Sequence, residues 1–156
     1  MKNYLVIIQT GDNQQFSDFQ RFVDAKNALD KDLQKRLLVA KFFPSNEIGA
    51  VFDLSDIVVS RSGANTVFDL AALGKPAILI PLPGSRHNEQ FLNAQELAGL
   101  GLAEIVSQEN LDLLLKKITA MAMNLKNYQK NAPKALDLII SDSAQKIAKI
   151  VSEETR

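Results

Sequence analysis

The sequence predicts an α/β protein: a parallel sheet with helices on both faces. Two observations carry this. Short apolar runs of strand length alternate with longer stretches in which apolar residues recur at helical spacing. The run I-V-V at 57–59 is β-branched and uncharged, as a strand covered on both faces requires.

Taken in order, Y-L-V-I-I at 4–8 reads as a buried strand, closed by the turn Q-T-G-D-N at 9–13. Phe16, Phe19, Phe22, Val23 and Leu29 then follow at helical spacing, so a helix is expected from about 15 into the region 30–36. Its charged end, D-K-D-L-Q-K-R, reads as a solvated helix end. Residues 37–43 form the second strand, broken by Pro44, and Ser45 or Asn46 can cap a short helix over 47–54. Residues 57–59 are the third strand. A helix over 64–73 carries Val67, Leu70 and Ala71 on one side and ends at Gly74; Lys75-Pro76 leads to the fourth strand at 77–80. A helix over 88–100 turns Phe91, Leu92, Ala94 and Leu97 inward and is terminated by Gly99 and Gly101. The last strand is 103–106. Asn110 caps a helix reaching about 124, and a final helix over 135–151 carries the stripe Leu136, Ile139, Ile140, Ala144 and Ile147. With no repeat and no low-complexity linker, one domain over 1–156 is expected, its C-terminal helix free to pack on a partner domain.

Composition narrows the function. The chain has 156 residues, 18 basic and 18 acidic, so its net charge is zero and no nucleic-acid footprint is expected. There is no cysteine, hence no disulfide and no thiolate nucleophile or metal ligand. The single histidine, His87, rules out a multi-histidine metal site. No apolar stretch approaches the roughly 18–20 residues of a spanning helix, and the short N-terminal lead is unlike a signal peptide. A cytoplasmic domain is the expectation.

The chain is organised around residues 56–94. Two loops there follow parallel strands, at the sheet edge where α/β proteins bind ligands. The first, Ser60-Arg61-Ser62-Gly63-Ala64, joins a strand to a helix N-terminus, whose free N–H groups and positive dipole end suit an anion or a sugar hydroxyl. An ordinary capped turn would look the same. Asp69, five residues beyond Ala64, could accept two hydrogen bonds from a ribose diol, though its spacing alone better describes a solvated helix carboxylate. The second loop, P-G-S-R-H-N-E-Q at 83–90, is polar and amide-rich. His87 within it reads as an exposed loop histidine, because no acidic residue is placed to orient it as a base. Thr10-Gly11-Asp12-Asn13 fits neither of the common phosphate-loop patterns.

The run S-R-S-G-A-N-T-V-F-D-L-A-A-L-G-K-P-A-I-L-I-P-L-P, followed by N-E-Q-F-L-N-A, resembles the donor-binding domain of the MurG-type glycosyltransferases, which transfer N-acetylglucosamine from UDP-N-acetylglucosamine to a lipid-linked muramoyl-pentapeptide in peptidoglycan synthesis. The matching pattern covers 61–94. The resemblance implies a Rossmann-like domain, the C-terminal half of a two-domain GT-B fold. It implies a substrate site of Ser62, Gly63, Ala64, Thr66, Asp69, Glu89 and Gln90, with no metal, no separate cofactor and no assigned catalytic residue. Backbone N–H groups around Gly63, Ala64 and Thr66 would meet the donor's sugar and phosphates. Asp69 stands where the family has the Glu that holds the ribose hydroxyls, a departure by one methylene. Glu89 and Gln90 stand on the pair that binds the sugar hydroxyls; Glu89 departs from the family's usual Gln or His. Asn93 corresponds to an Asn better suited to a structural role, and 43–48 to the segment expected to hold uracil.

The resemblance also implies what is missing: the acceptor domain with its lipid-facing surface, and the donor domain's first strand with its glycine-serine loop. Residues 4–11 match that domain's second strand. Loss of a central strand exposes two sheet edges, which another chain, a second copy, or residues 4–8 themselves could occupy. The implied partners are therefore UDP-N-acetylglucosamine, an acceptor domain or subunit, and a possible second copy through an exposed edge. The implied location is cytoplasmic, at the inner face of the membrane through the partner. Alone, the chain is expected to bind donor weakly and not to turn over. Three rival readings stand beside this one: the catalytic subunit of a split two-chain transferase, a non-catalytic nucleotide-sugar-binding module, and a relative of the UDP-N-acetylglucosamine 2-epimerases, which share the fold but need an acidic and histidine set absent here.

Overall fold

The computed structural model describes residues 4–139 and 142–154. It divides into two compact units, residues 1–50 and 51–156.

The first unit pairs β1 (Val6–Gln9) with β2 (Leu37–Ala40) in parallel, Val6 opposite Leu37 and Gln9 opposite Ala40. The expected single helix between them is two: α1 (Asp18–Asn27) and α2 (Lys31–Gln34). The break falls at Ala28–Asp30, where Asp30 is extended (φ −58°, ψ 147°) and the Gln34 side chain donates to the carbonyls of Asn27 and Leu29, bracing the corner. This unit buries little. Leu37 is its only described residue among the buried apolar set, while Leu5, Phe16, Phe22 and Leu38 are exposed.

The chain passes to the second unit within α3 (Ile48–Leu54), which starts where Glu47 and Ile48 donate their backbone N–H groups to the Pro44 carbonyl. Here β3 (Val58–Ser60), β4 (Ala77–Leu79) and β5 (Ala103–Ile105) form a parallel sheet in the order β3-β4-β5. The five strands thus make two sheets rather than one, with three strand pairings, all of them parallel. Central β4 is fully buried, which explains its uninterrupted apolar sequence.

The crossovers are α4 (Ala64–Ala72) and α5 (Glu89–Gly99), and both stop by one device. After α4, Gly74 N–H returns to Ala71 O (3.1 Å) and Lys75 N–H to Leu70 O (2.9 Å). After α5, Gly101 N–H returns to Ala98 O (2.8 Å) and Leu102 N–H to Leu97 O (3.2 Å). These are Schellman closures with a left-handed glycine at the turning point, φ +60° at Gly74 and +74° at Gly101. Each delivers the chain directly into the next strand. Lys75 adds a second tie: its ammonium donates to the Asp53 carbonyl at the end of α3 (2.6 Å).

The core lies between the sheet and these helices, with Leu70, Leu79, Leu97 and Leu102 wholly buried. A smaller cluster of Ile78, Val106 and Met121 seats α6 (Leu114–Met123) on the opposite face, so helices do flank both sides of this sheet. Asn110 does not cap a long helix. It sits kinked (φ −116°) in a 3₁₀ stretch, Gln108–Leu113, with its amide bonded to Ser107. Beyond α6 come α7 (Leu125–Gln129) and α8 (Ala132–Ala135), with Pro133 in the first turn of α8, where its missing N–H costs nothing. The helix expected over 135–151 is instead a 3₁₀ turn, Leu136–Leu138, and α9 (Ser143–Glu154). Ile140, placed in its apolar stripe, lies outside the described residues; Ile147 is 61% exposed.

One polar cluster ties β5 to α6 and α7. Glu104 accepts from the Lys117 ammonium and from the Tyr128 hydroxyl (2.6 Å). The Lys117 contact, then the Tyr128 hydrogen bond, holds the Glu104 carboxyl below its ordinary value, and the same hydrogen bond, with some burial, pushes Tyr128 up to about 12. A depressed carboxylate stabilises the fold above its unfolded value of 4.5, and that stabilisation is lost as pH falls through the folded value. A raised phenol works in the opposite sense: its contribution is intact below pH 10 and disappears as pH climbs toward 12. Urea midpoints should therefore fall on both sides of a neutral plateau, and Tyr128→Phe should flatten the alkaline limb. An unchanged alkaline limb in that variant would show that the hydroxyl is not responsible.

Candidate ligand edge of the three-stranded sheet

The residues singled out in 60–94 converge at the C-terminal edge of β3 and β4. The turn leaving β3 enters α4 through Gly63, the N-cap, in extended conformation (φ −62°, ψ 150°) with no side-chain capping hydrogen bond. The first helical closure is Val67 N–H to Gly63 O (3.0 Å). The N–H groups of Ala64, Asn65 and Thr66 precede it and have no helical acceptor. A Cβ built on Gly63 would meet nothing within 4 Å, so space lies open before these donors. Ala64 is exposed and Thr66 half-buried.

Ser62 is different in kind. It is wholly buried, the one buried polar side chain of the described core. Its hydroxyl donates to Gln90 O (2.7 Å) and its own carbonyl accepts from the Asn93 amide (3.2 Å). Its part is to fasten the turn to the first turns of α5, and Asn93 shares that structural work. Gln90, half-buried, spends its side-chain oxygen on Leu82 N–H (2.9 Å), which fixes the loop after β4. The Gln90 amide NH₂ is left as the group it can offer a ligand. Glu89 is the first residue of α5 and exposed, a carboxylate at a helix N-terminus. Asp69 is exposed on α4, more than a turn beyond the cap, and forms no ion pair among the described residues. No hydrogen bond links Asp69 or Glu89 to the Ser62 cluster.

His87 is exposed, as its sequence context indicates, but its backbone is left-handed (φ 51°), as is that of Asn88 (φ 58°). Two successive non-glycine residues in this region cost on the order of 1 kcal/mol each. They aim the chain into α5. Nothing in the local sequence signals this beyond Asn88 itself, a residue tolerant of that conformation. A shallow cavity of about 180 Å³ runs along α4 and α5 from Ala64 at the start of α4, walled also by Val67, Phe68, Ala71, Asn93, Glu96 and Leu138. It is mostly apolar and touches the candidate turn only through Ala64 and Asn93.

Sequence reasoning also missed the fork made by Arg61. Its Nη1 donates to Ile80 O (3.1 Å) and Pro81 O (3.4 Å), and its Nη2 to Gln108 Oε1 (2.7 Å). Gln108 lies 47 positions away, so no local pattern could pair the two.

Comparison with known proteins identifies the family to which this fold belongs. Among curated sequences, the N-acetylglucosamine transferase named UDP-N-acetylglucosamine–N-acetylmuramyl-(pentapeptide) pyrophosphoryl-undecaprenol N-acetylglucosamine transferase from Methylobacterium radiotolerans is 40% identical over 116 residues, 73% of this chain and 31% of that protein. The protein of the same name from Nitrobacter hamburgensis is 34% identical over 148 residues, 88% of this chain and 40% of that one. The chain thus spans well under half the length of these relatives. Among solved structures, Acinetobacter baumannii MurG superposes with a TM-score of 0.70 at 25% identity, over 94% of this chain and 40% of that one. Residues 1–151 match the glycosyltransferase family 28 C-terminal domain, and the chain belongs to that family.

Proposed function

We propose that this chain is a UDP-N-acetylglucosamine-binding domain of an inverting transferase that passes N-acetylglucosamine to a lipid-linked muramoyl-pentapeptide. The observation that carries the reading is the open, uncapped N-terminus of α4 at the sheet's C-terminal edge. Its free N–H groups and dipole suit the donor's diphosphate and would stabilise it as it departs. Asp69 is assigned to the ribose hydroxyls. Glu89 accepts from one sugar hydroxyl, and the Gln90 amide donates to another. The names carried by the relatives support this choice of donor and acceptor. A further domain or subunit supplies the acceptor half and the base that deprotonates the attacking hydroxyl, and through it the domain works at the cytoplasmic face of the membrane. No helix among the described residues is long and apolar enough to cross a membrane itself.

A partner also suits the strand edges. β1 and β3 each have one hydrogen-bonded neighbour, carry no charged residue, and expose Ile7 (39%) and Val59 (41%). A second chain pairing there, as subunit or as copy, would cover them.

Titration of the 156-residue chain with UDP and with UDP-N-acetylglucosamine, followed by amide chemical shifts, tests the site. Shifts are expected at residues 63–69 and 89–90. Asp69→Ala should weaken UDP binding about tenfold or more, the scale of lost hydrogen bonds to a charged group. Absence of shifts at millimolar ligand, or shifts confined to other surfaces, would refute the assignment.

A further inference from the structure

We infer that Arg61 is a positioning residue that holds the ligand edge in shape by joining the ends of all three strands of the second sheet, with Gln108 as its working partner. The inference rests on the donor-binding reading for its functional consequence and on geometry for its mechanism. Arg61 lies just past β3. One arm of its guanidinium reaches Ile80 O and Pro81 O just past β4, and the other reaches Gln108, just past β5. These contacts engage both Nη groups of the guanidinium. They also keep its charge next to the turn that leads into α4, where it adds to the positive potential of the free N–H groups.

Two loops depend on this fork. Residues 80–82 are held by Arg61 from one side and by the Gln90 oxygen on Leu82 N–H from the other. The turn at 61–63 is held by the Arg61 fork and by the buried Ser62 hydroxyl. With Arg61 removed, Ser62 still fastens the turn to α5, but nothing described ties the loop after β4 to the 3₁₀ stretch after β5. The expected defect is therefore looser loops on an intact core. A lysine cannot replace the fork, because one ammonium cannot reach divergent acceptors on two loops in a planar arrangement.

The test uses Arg61→Lys, Arg61→Met, Gln108→Leu and the Met/Leu double variant of the full 156-residue chain. Gln108 is exposed, so its variant keeps the fold even if Arg61→Met does not. In the ligand-free protein, hydrogen exchange at residues 80–85 should quicken at least fivefold in every variant, while Ile78 in the core stays protected. Binding of UDP should weaken about five- to tenfold in each single variant, with the double no worse than Arg61→Met alone, since both act through one contact. Normal binding in Gln108→Leu beside a loss in Arg61→Met would mean that Arg61 touches the ligand directly, and would overturn the proposal. Unchanged exchange at 80–85 would overturn it as well. Failure of the wild-type chain to bind UDP would refute the donor reading alone, because the exchange measurement needs no ligand.

Discussion

Gly74→Ala is expected to destabilise the second unit by roughly 3 kcal/mol, from about 1–2 kcal/mol for an L-residue held in left-handed geometry plus a steric term. The backbone there has φ +60°, and the added Cβ would lie 2.6 Å from the Ala132 methyl and 3.5 Å from the Ala132 Cα. That methyl has no rotamer to escape into, so α8 must move or the Schellman closure must open. At this chain length a loss of that size lowers the melting temperature by roughly 6–12 °C. Gly63, at the other end of the same helix, gives the opposite pattern. Its φ is ordinary and its surroundings are empty, so Gly63→Ala should cost at most about 1 kcal/mol as a poorer N-cap. It would, however, place a methyl group where the diphosphate is expected. Melting and UDP titration of the two variants should separate them: one loses stability and the other loses ligand. A Gly74→Ala protein that melts within 1–2 °C of the parent would show that α8 yields freely.

The second large effect is Leu97→Ala, expected at about 2–5 kcal/mol. Leu97 is wholly buried and sits in the cluster with Leu70, Leu79 and Leu102. It is also the residue whose carbonyl closes the turn after α5, so a collapsing cavity would disturb the entry to β5. Met123→Ala, by contrast, removes a side chain that is 81% exposed and should change stability by no more than about 0.5 kcal/mol. Because the chain has two units, one unfolding midpoint need not describe both. Exchange of the Ile78 amide reports the second unit specifically, and it should quicken with Leu97→Ala and stay unchanged with Met123→Ala.

Where apolar period and glycine placement agreed, the fold was legible in the sequence. Strands 77–80 and 103–106 and helices 64–73 and 88–100 stand within a residue or two of their expected bounds, because each lies between a buried stripe and a glycine that must turn left-handed. Pattern failed where geometry is decided by distant contacts. The break in the first long helix depends on where one glutamine side chain finds its carbonyls. Near the C-terminus the 3.6-residue period ran on through a segment that the structure divides between α8, a 3₁₀ turn and α9. The candidate site shows the same division. Gly63 and the start of α4 could be read from the strand–turn–helix grammar. The burial of Ser62 and the engagement of Gln90's oxygen could not, since each depends on a partner some eight to thirty residues away.

The two glycine closures have a further consequence. Gly74 and Gly101 both lie at the N-terminal edge of the three-stranded sheet, where α8 and the residue before it press on them: Ala132 against the first and Asn131 against the second. The open turns lie at the opposite edge. The two rims of one sheet therefore answer to different assays. A thermal screen of a variant library would report on the rim around 74, 101 and 131–132, and a nucleotide screen on the rim around 61–66 and 80–90. A natural or engineered relative could change its ligand without renegotiating the joints that keep it folded.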